Sequence, residues 1–250
     1  MDYKNINIIV PSYNNAKWYE QNIKSIAEQD YPIDKYNIIY TDDASTDGTA
    51  DLVENFIVKN NYANIKLIKN EKNLGALFNI YNMIHSCDDQ SIAVTVDGDD
   101  FAASNQFLNI LNNVYQDENV WMTYGSYLDY PGMTRGCCKP YESNIIKYKS
   151  YRNSPWRASH ARSWYVKLFK MIKEDDFKFN GEWADCAWDL LIQFPLLEIS
   201  NGKHKYIDEI LYLYNNQNPI SDYKIKQSRQ GLIDRFARLK PHYAPLEKLW

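Results

Sequence analysis

Three carboxylates crowd into four residues at Asp97-Gly98-Asp99-Asp100. Like charges at that spacing repel, so the cluster is tolerable mainly where a divalent cation, or hydroxyl donors such as those of a ribose, fill the space between them. The competing structural reading is a turn in which Asp99 or Asp100 caps a helix that starts near Ala102. Two further groups could do chemistry. Between Arg152 and Trp164 basic and aromatic residues interleave, so that His160 and Arg162 could face a phosphate or an acceptor. Downstream, Glu182, Asp185 and Asp189 each offer a carboxylate able to take a proton from an attacking hydroxyl. Asp185 and Asp189 are four apart, and on one helix they would share a face and raise one of their two pKa values.

These groups need elements to position them. The apolar run from Ser91 to Val96, which leads into the acidic cluster, reads as a buried strand. Ahead of it the same pattern repeats as strand, polar loop and amphipathic helix. Ile6 to Val10, Tyr36 to Thr41 and Ile65 to Lys69 are the strands; helices follow around Trp18 to Ile26, Ala50 to Val58 and up to His85. Strand-helix units about 30 residues apart imply parallel strands joined by crossover helices, with helices on both faces of the sheet. In such a sheet ligands bind at the carboxyl ends of the strands, and the loops at 11–15, 42–49, 70–79 and 97–100 gather at that one edge.

The second half is patterned differently. A helix from about Asn105 to Tyr115 leads to a strand from Val120 to Tyr127 and a long loop or flap between Tyr130 and Tyr151. We expect a helix over Arg162 to Lys173, then short strands at Lys205 to Ile207 and Glu209 to Tyr214. A surface helix from Ser221 to Leu239 would turn Ile225, Leu232, Ile233 and Phe236 inward, ahead of an apolar tail over 241–250. The pattern divides the chain into residues 1–125, residues 126–220 and a C-terminal helix and tail over 221–250.

Composition narrows the function classes. The formal net charge of −4 over 250 residues sets up no field that draws the chain to nucleic acid. The 21 Tyr and 7 Trp are amphipathic surfaces suited to stacking on sugars or bases. Four cysteines without C-x-x-C spacing, no signal peptide and no apolar run of about 18 residues lead us to expect a cytoplasmic protein, with membrane contact at most peripheral. No G-x-G-x-x-G follows the first strand and no P-loop motif is present, which disfavours dinucleotide binding and P-loop chemistry.

In order along the chain, Pro11-Ser12-Tyr13-Asn14, Asp42-Asp43-Ala44-Ser45-Thr46-Asp47-Gly48-Thr49, Asn73-x-Gly75-x-x-x-Asn79 and Asp97-Gly98-Asp99-Asp100 resemble the signature of family-2 nucleotide-sugar glycosyltransferases. The resemblance covers roughly residues 5 to 125 and implies a nucleotide-sugar-binding part over 1–125, with the acceptor-binding and catalytic-base part over 126–220. It implies an α/β, GT-A type fold with a mostly parallel central sheet flanked by helices on both faces, and a metal-dependent, inverting transfer from a UDP-sugar to a glycan, lipid or protein hydroxyl. By the same resemblance Pro11 and Tyr13 flank the base, an Asp of the Asp42/Asp43 pair accepts from the uracil imide, and Asn14, Asn73, Gly75 and Gly98 complete the donor-binding motifs. Asp97 contacts the ribose and, with Asp99, holds Mn²⁺ or Mg²⁺. In the family the base opens a helix that ends in Pro-Leu-Leu-Glu, here Pro195 to Glu198, which favours Asp189 over Asp185; the family's usual Glu-Asp pair at the base is absent here. A sugar-phosphate nucleotidyltransferase would need a Gly-rich basic loop after the first strand, which Pro11 to Asn15 does not supply. A non-catalytic nucleotide-sugar or glycan-binding module is the remaining alternative.

Overall fold

The β-branched runs line up as parallel neighbours in a computed structural model of the protein, which describes residues 2–250, Tyr223 by its backbone alone. In chain order the first half runs β1 (Ile6–Ser12), α1 (Tyr19–Ala27), β2 (Tyr36–Asp42), α2 (Thr49–Asn60), β3 (Ile65–Lys69), α3 (Ala76–His85) and β4 (Ile92–Thr95). β1 pairs in parallel with both β2 and β4, and β2 with β3. All 7 residues of β1 are buried, because helices cover both faces and the strand has no solvent side.

The second half extends the same sheet. It runs β5 (Phe101–Ala102), α4 (Phe107–Val114), β6 (Met122–Tyr130), α5 (Ser143–Tyr148), β7 (Ser159–Tyr165), α6 (Val166–Phe169), β8 (Lys178–Phe179), β9 (Glu182–Trp183), α7 (Trp188–Ile199), β10 (His204–Asn215), α8 (Asp222–Ile225) and α9 (Gln227–Leu239). The eight-stranded order is β3-β2-β1-β4-β7-β6-β10-β5. β7 enters antiparallel between β4 and β6, β10 runs parallel to β6, and β5 closes the edge antiparallel to β10. Both halves therefore share one core.

Several expected elements differ. The helix expected from Arg162 to Lys173 is instead β7 followed by the single turn of α6, and every residue of β7 is buried. Its polar side chains, which suggested a solvated helix, are satisfied across the sheet: the Ser163 hydroxyl pairs with those of Thr123 (2.6 Å) and Tyr115 (2.9 Å). Cross-strand partners override local propensity there. Asp100 caps no helix; its carboxylate accepts from the Asn215 backbone N–H and the Tyr212 hydroxyl, both at 2.7 Å, and α4 begins only at Phe107. The flap expected over 130–151 contains α5, and the two short strands expected after 204 are one strand with a bulge.

At the C-terminus Ile225 and Leu232 point outward, 59% and 55% exposed, while Ile233 and Ala237 face the core. Residues 241–250 are not a free tail. Leu246 donates its N–H to Ile199 O at 2.9 Å, and Leu249 is buried. The lock behind this packing is a buried ion pair. Arg152 grips Glu198 at the end of α7 through two bonds, Nε to Oε1 at 2.6 Å and Nη2 to Oε2 at 2.8 Å. Arg152 also donates to the Ala237 carbonyl of α9, and Glu198 Oε2 accepts from the Tyr243 N–H at 2.9 Å. One pair thus joins the 151–153 turn, α7, α9 and the terminal segment. Truncating one partner leaves a buried charge uncompensated, so Glu198→Ala should lose about 3–5 kcal/mol of stability. The urea midpoint checks this; a midpoint equal to wild type would remove Glu198 from the lock.

His204 makes a pH-dependent contribution. Burial pushes its imidazole pKa down to about 4, and its Nε2 lies 2.9 Å from the Tyr151 hydroxyl. The unfolded chain binds this proton near the ordinary imidazole value of 6.5 and the folded chain only near 4. Stability should therefore fall as pH drops from about 6.5 to 4 and lose nothing further below, with about 3 kcal/mol at stake. Melting temperatures over that range should fall less steeply for His204→Gln than for wild type; parallel slopes would count against the assignment.

Candidate active site

The acidic turn sits where β4 ends beside the end of β1, and the backbone explains its glycine. Gly98 N–H donates to Pro11 O at 3.0 Å. A Cβ on Gly98 would come within 2.7 Å of Ser12 Cβ and 2.8 Å of Asn15 Nδ2, so no larger residue fits without a shift. Asn22 Nδ2 donates to the carbonyls of Asp97 (2.9 Å) and Asp100 (2.7 Å) and fixes the turn from α1. From the other side β10 holds it. The Asp97 N–H donates to the Tyr212 hydroxyl at 3.1 Å, Asn215 Nδ2 donates to Asp99 O at 3.0 Å, and Asn218 Nδ2 donates to Asp99 Oδ2 at 2.7 Å.

Burial raises the pKa of all three carboxyls. For Asp97 the Arg162 guanidinium opposes the rise and Asp99 adds to it; for Asp100 the neighbouring Asp99 and Asp97 add to it. Asp97 Oδ1 is buried with no hydrogen-bond partner among the described residues. Ligand atoms of Asp97, Asp100 and His160 lie within 4.8 Å of one another. His160 stacks on Tyr212 with ring centroids 4.2 Å apart, and burial, followed by the Arg162 charge, keeps its imidazole neutral. Buried carboxylates short of counter-charge, an orphaned carboxylate oxygen and a neutral imidazole suit a hard divalent cation.

The other end of the site is built by β7 and α7. Arg162, paired opposite Thr95 across the β4–β7 ladder, is buried in the sheet. Its Nη1 lies 3.4 Å from Asp189 Oδ2, its Nη2 3.3 Å from His160 Nδ1, and its guanidinium carbon 4.8 Å from the Trp188 ring centroid. Asp189 stands in the first turn of α7, launched from Ala187 at φ 47°. Burial pushes its carboxyl pKa up and Arg162 pulls against that rise, while 25% of its side chain stays exposed.

A cavity of about 760 Å³ joins the two ends, within the size of small-molecule sites. Of the residues singled out from sequence, Pro11, Tyr13, Asp97, Asp99, His160, Arg162 and Asp189 line it. The structure does not bring Asn14, Asp42, Asp43, Asn73, Gly75, Gly98 or Asp185 to the wall. Most of these shape the loops behind it. Asp43 accepts from the Leu74 N–H (2.9 Å), the Gly75 N–H (2.8 Å) and Asn70 Nδ2 (2.8 Å), Asn73 Nδ2 donates to Asp43 O at 3.2 Å, and Gly75 takes φ 89° ahead of α3. Asn14 Oδ1 accepts from the Thr46 N–H at 2.8 Å, joining the first loop to the second. Asp42 accepts from the Ser45 N–H at 3.0 Å and keeps a buried Oδ1 without a partner among the described residues.

Asp185 does not share a helix face with Asp189. It lies ahead of α7 and pairs with Arg229 Nε at 2.6 Å. Sequence reasoning missed Asn218, Asp222 and the α9 residues Gln227, Gln230 and Asp234, all on the wall. The α9 polar stripe is visible at helical spacing; of the apolar positions expected inward, Ile233 and Phe236 meet the core, while Leu232 on α9 and Ile225 on α8 are exposed.

A mostly parallel sheet with an acidic turn at the carboxyl end of a central strand and a mixed extension beyond it is the architecture of the GT-A glycosyltransferases. The family model described as Glycosyl transferase family 2 matches residues 7–178, and the chain belongs to that family. Over 94 residues it is 32% identical to the poly(ribitol-phosphate) beta-N-acetylglucosaminyltransferase TarS of Staphylococcus aureus, a match covering 38% of this chain and 16% of TarS. To the glycosyltransferase GlyG of Streptococcus pneumoniae it is 26% identical over 227 residues, 85% of this chain and 71% of the other. A crystal structure of a TarS fragment in complex with UDP-GlcNAc matches with a TM-score of 0.63 at 20% identity, covering 86% of this chain and 59% of that one. A mannosyltransferase from Pyrobaculum calidifontis in complex with GDP-Man and Mn²⁺ gives 0.67 at 16% identity, covering 98% and 66%. The chain thus spans less than two thirds of TarS in either comparison. No helix among the described residues is long and apolar enough to cross a membrane.

Proposed function

We propose that the protein is a metal-dependent, inverting glycosyltransferase that moves a sugar from a UDP-sugar to an acceptor hydroxyl. The observation that carries this reading is that the acidic turn and the Asp189 carboxylate open into one cavity on either side of Arg162. Uridine as the base is supported by the UDP-GlcNAc complex of TarS; the same fold holding GDP-Man makes it a point to test. Pro11 and Tyr13, on the wall, would pack against the base, and the acceptor for an imide N–H would come from the Asp42/Asp43 pair set behind that wall, where Asp42 keeps a buried Oδ1 without a partner among the described residues. Asp97, assisted by Asp99, His160 or Asp100, would hold Mn²⁺ or Mg²⁺. Bound there, the cation supplies charge neutralisation for a diphosphate leaving group.

Asp189 is the base. It takes the proton of the acceptor hydroxyl as that oxygen attacks the anomeric carbon from the side opposite the diphosphate. Arg162 orients the Asp189 carboxylate through their ion pair and keeps it available in ionised form against the pull of burial. The acceptor belongs to the glycan, lipid or protein hydroxyls. Incubation with Mn²⁺ or Mg²⁺ and a panel of nucleotide sugars should release nucleotide slowly from one donor by hydrolysis. Silence across the panel, with or without cation, would overturn the transferase reading.

A further inference from the structure

The α9 side of the cavity carries information about the acceptor. Away from the acidic turn, the charged groups on the cavity wall are Asp189, Asp222 and Asp234 against one cation, Arg162, among the described residues. Arg162 is buried and committed to Asp189. The cations that pair with Asp222 and Asp234, Lys226 Nζ at 2.9 Å and Arg238 Nε at 2.9 Å, are not on the wall. An anionic acceptor would meet carboxylates there with no free cation to receive it.

What the wall does offer suits hydroxyls. Gln227 and Gln230 stand one turn apart on α9, and neither side-chain amide has a hydrogen-bond partner among the described residues, so each presents donors and an acceptor to the cavity. Trp156 and Trp188 line the same space with ring surface suited to the C–H face of a pyranose. Gly231 adds an independent sign. It lies inside α9, where glycine weakens a helix, yet a Cβ there would meet nothing within 4 Å. No protein neighbour requires that space, and Gly231 lines the cavity.

We infer that the Gln227–Gln230–Gly231 face of α9, with Trp156 and Trp188, is an acceptor subsite for an uncharged saccharide and rejects phosphate- or carboxylate-bearing polymers. This rests on the transferase reading above and names its second substrate. The test uses the full chain with the donor that basal nucleotide release identifies. Its acceptor arms are neutral hexose and N-acetylhexosamine oligosaccharides, poly(ribitol phosphate) and a hexuronate oligomer. At least one uncharged saccharide should raise nucleotide release about tenfold or more over the basal rate, and both polyanions should leave it at the basal rate.

Gly231→Leu fills the space while improving helix propensity, so it should melt no lower than wild type yet reduce the ratio of saccharide-stimulated to basal release about tenfold. Gln227→Ala/Gln230→Ala should lower the same ratio. Stimulation by a polyanion, none by any uncharged saccharide, or an unchanged ratio in Gly231→Leu would each overturn the subsite. Tryptophan fluorescence titrated with the same saccharides reads binding without turnover. Absent basal release therefore strikes the transferase reading, and absent saccharide binding strikes the subsite.

Discussion

Asp189→Asn is expected to lower sugar transfer by about 10²–10⁴-fold, the usual size of a lost general base, while UDP-sugar still binds. The substitution keeps the shape of the side chain and its place in the first turn of α7, and removes the ability to take a proton together with the charge that faces Arg162. Calorimetry with the UDP-sugar separates the two effects. The pH profile gives a second readout. Burial is the largest influence on this carboxyl and raises its pKa; Arg162 on β7 and the backbone N–H groups of Leu190 and Asp189 lower it, and Asp234 on α9 raises it. The base must be ionised to work, so the rate should climb with pH through a value above the ordinary carboxylate range and level off beyond it. That rising limb should vanish in Asp189→Asn. Asp185→Asn should leave transfer close to wild type, because Asp185 spends its charge on Arg229 and lies off the cavity wall. A large loss in Asp185→Asn beside normal turnover in Asp189→Asn would transfer the role to Asp185.

How much of this was legible in the sequence depends on how locally each feature is determined. The strands of the first half are short β-branched runs between polar loops, and a crossover topology gathers their ends without knowledge of any side-chain contact. That is why the acidic turn could be placed beside Pro11 and Tyr13. β7 was not legible, since Ser159, His160, Arg162 and Ser163 look solvated until Thr123, Tyr115 and Asp189 are brought to them from elsewhere in the chain. The same limit hid the division of labour among the acids. That Asp100 braces the turn is visible only when Tyr212 and Asn215, more than a hundred residues away, are seen to donate to both its oxygens. The C-terminal helices were only partly legible for a related reason. Ile225 and Leu232 are as apolar as Ile233, and only the packing of α7 and of residues 241–250 decides which side is buried.

Chelating the divalent cation should weaken UDP binding by about 100-fold or more, and Asp97→Asn should bind UDP no better with Mn²⁺ or Mg²⁺ than without. Asp97 is the residue to test because every ligand set the geometry allows includes it: the compact group with Asp100 and His160, and the wall-facing pair with Asp99. Its Oδ1 is also the carboxylate oxygen of the turn that burial leaves without a partner among the described residues. The remaining acids should divide by readout. Asp100→Asn disturbs the bonds to Tyr212 and Asn215, so it should lower the melting temperature before it changes cation dependence. Asp99→Asn alters a side chain held by Asn218 and should reduce cation-dependent UDP affinity without that loss of stability. Nitrogen hyperfine coupling in the Mn²⁺ spectrum would place His160 in the coordination sphere; its absence would favour Asp99. UDP affinity indifferent to cation in the wild-type protein would remove the metal from the proposal.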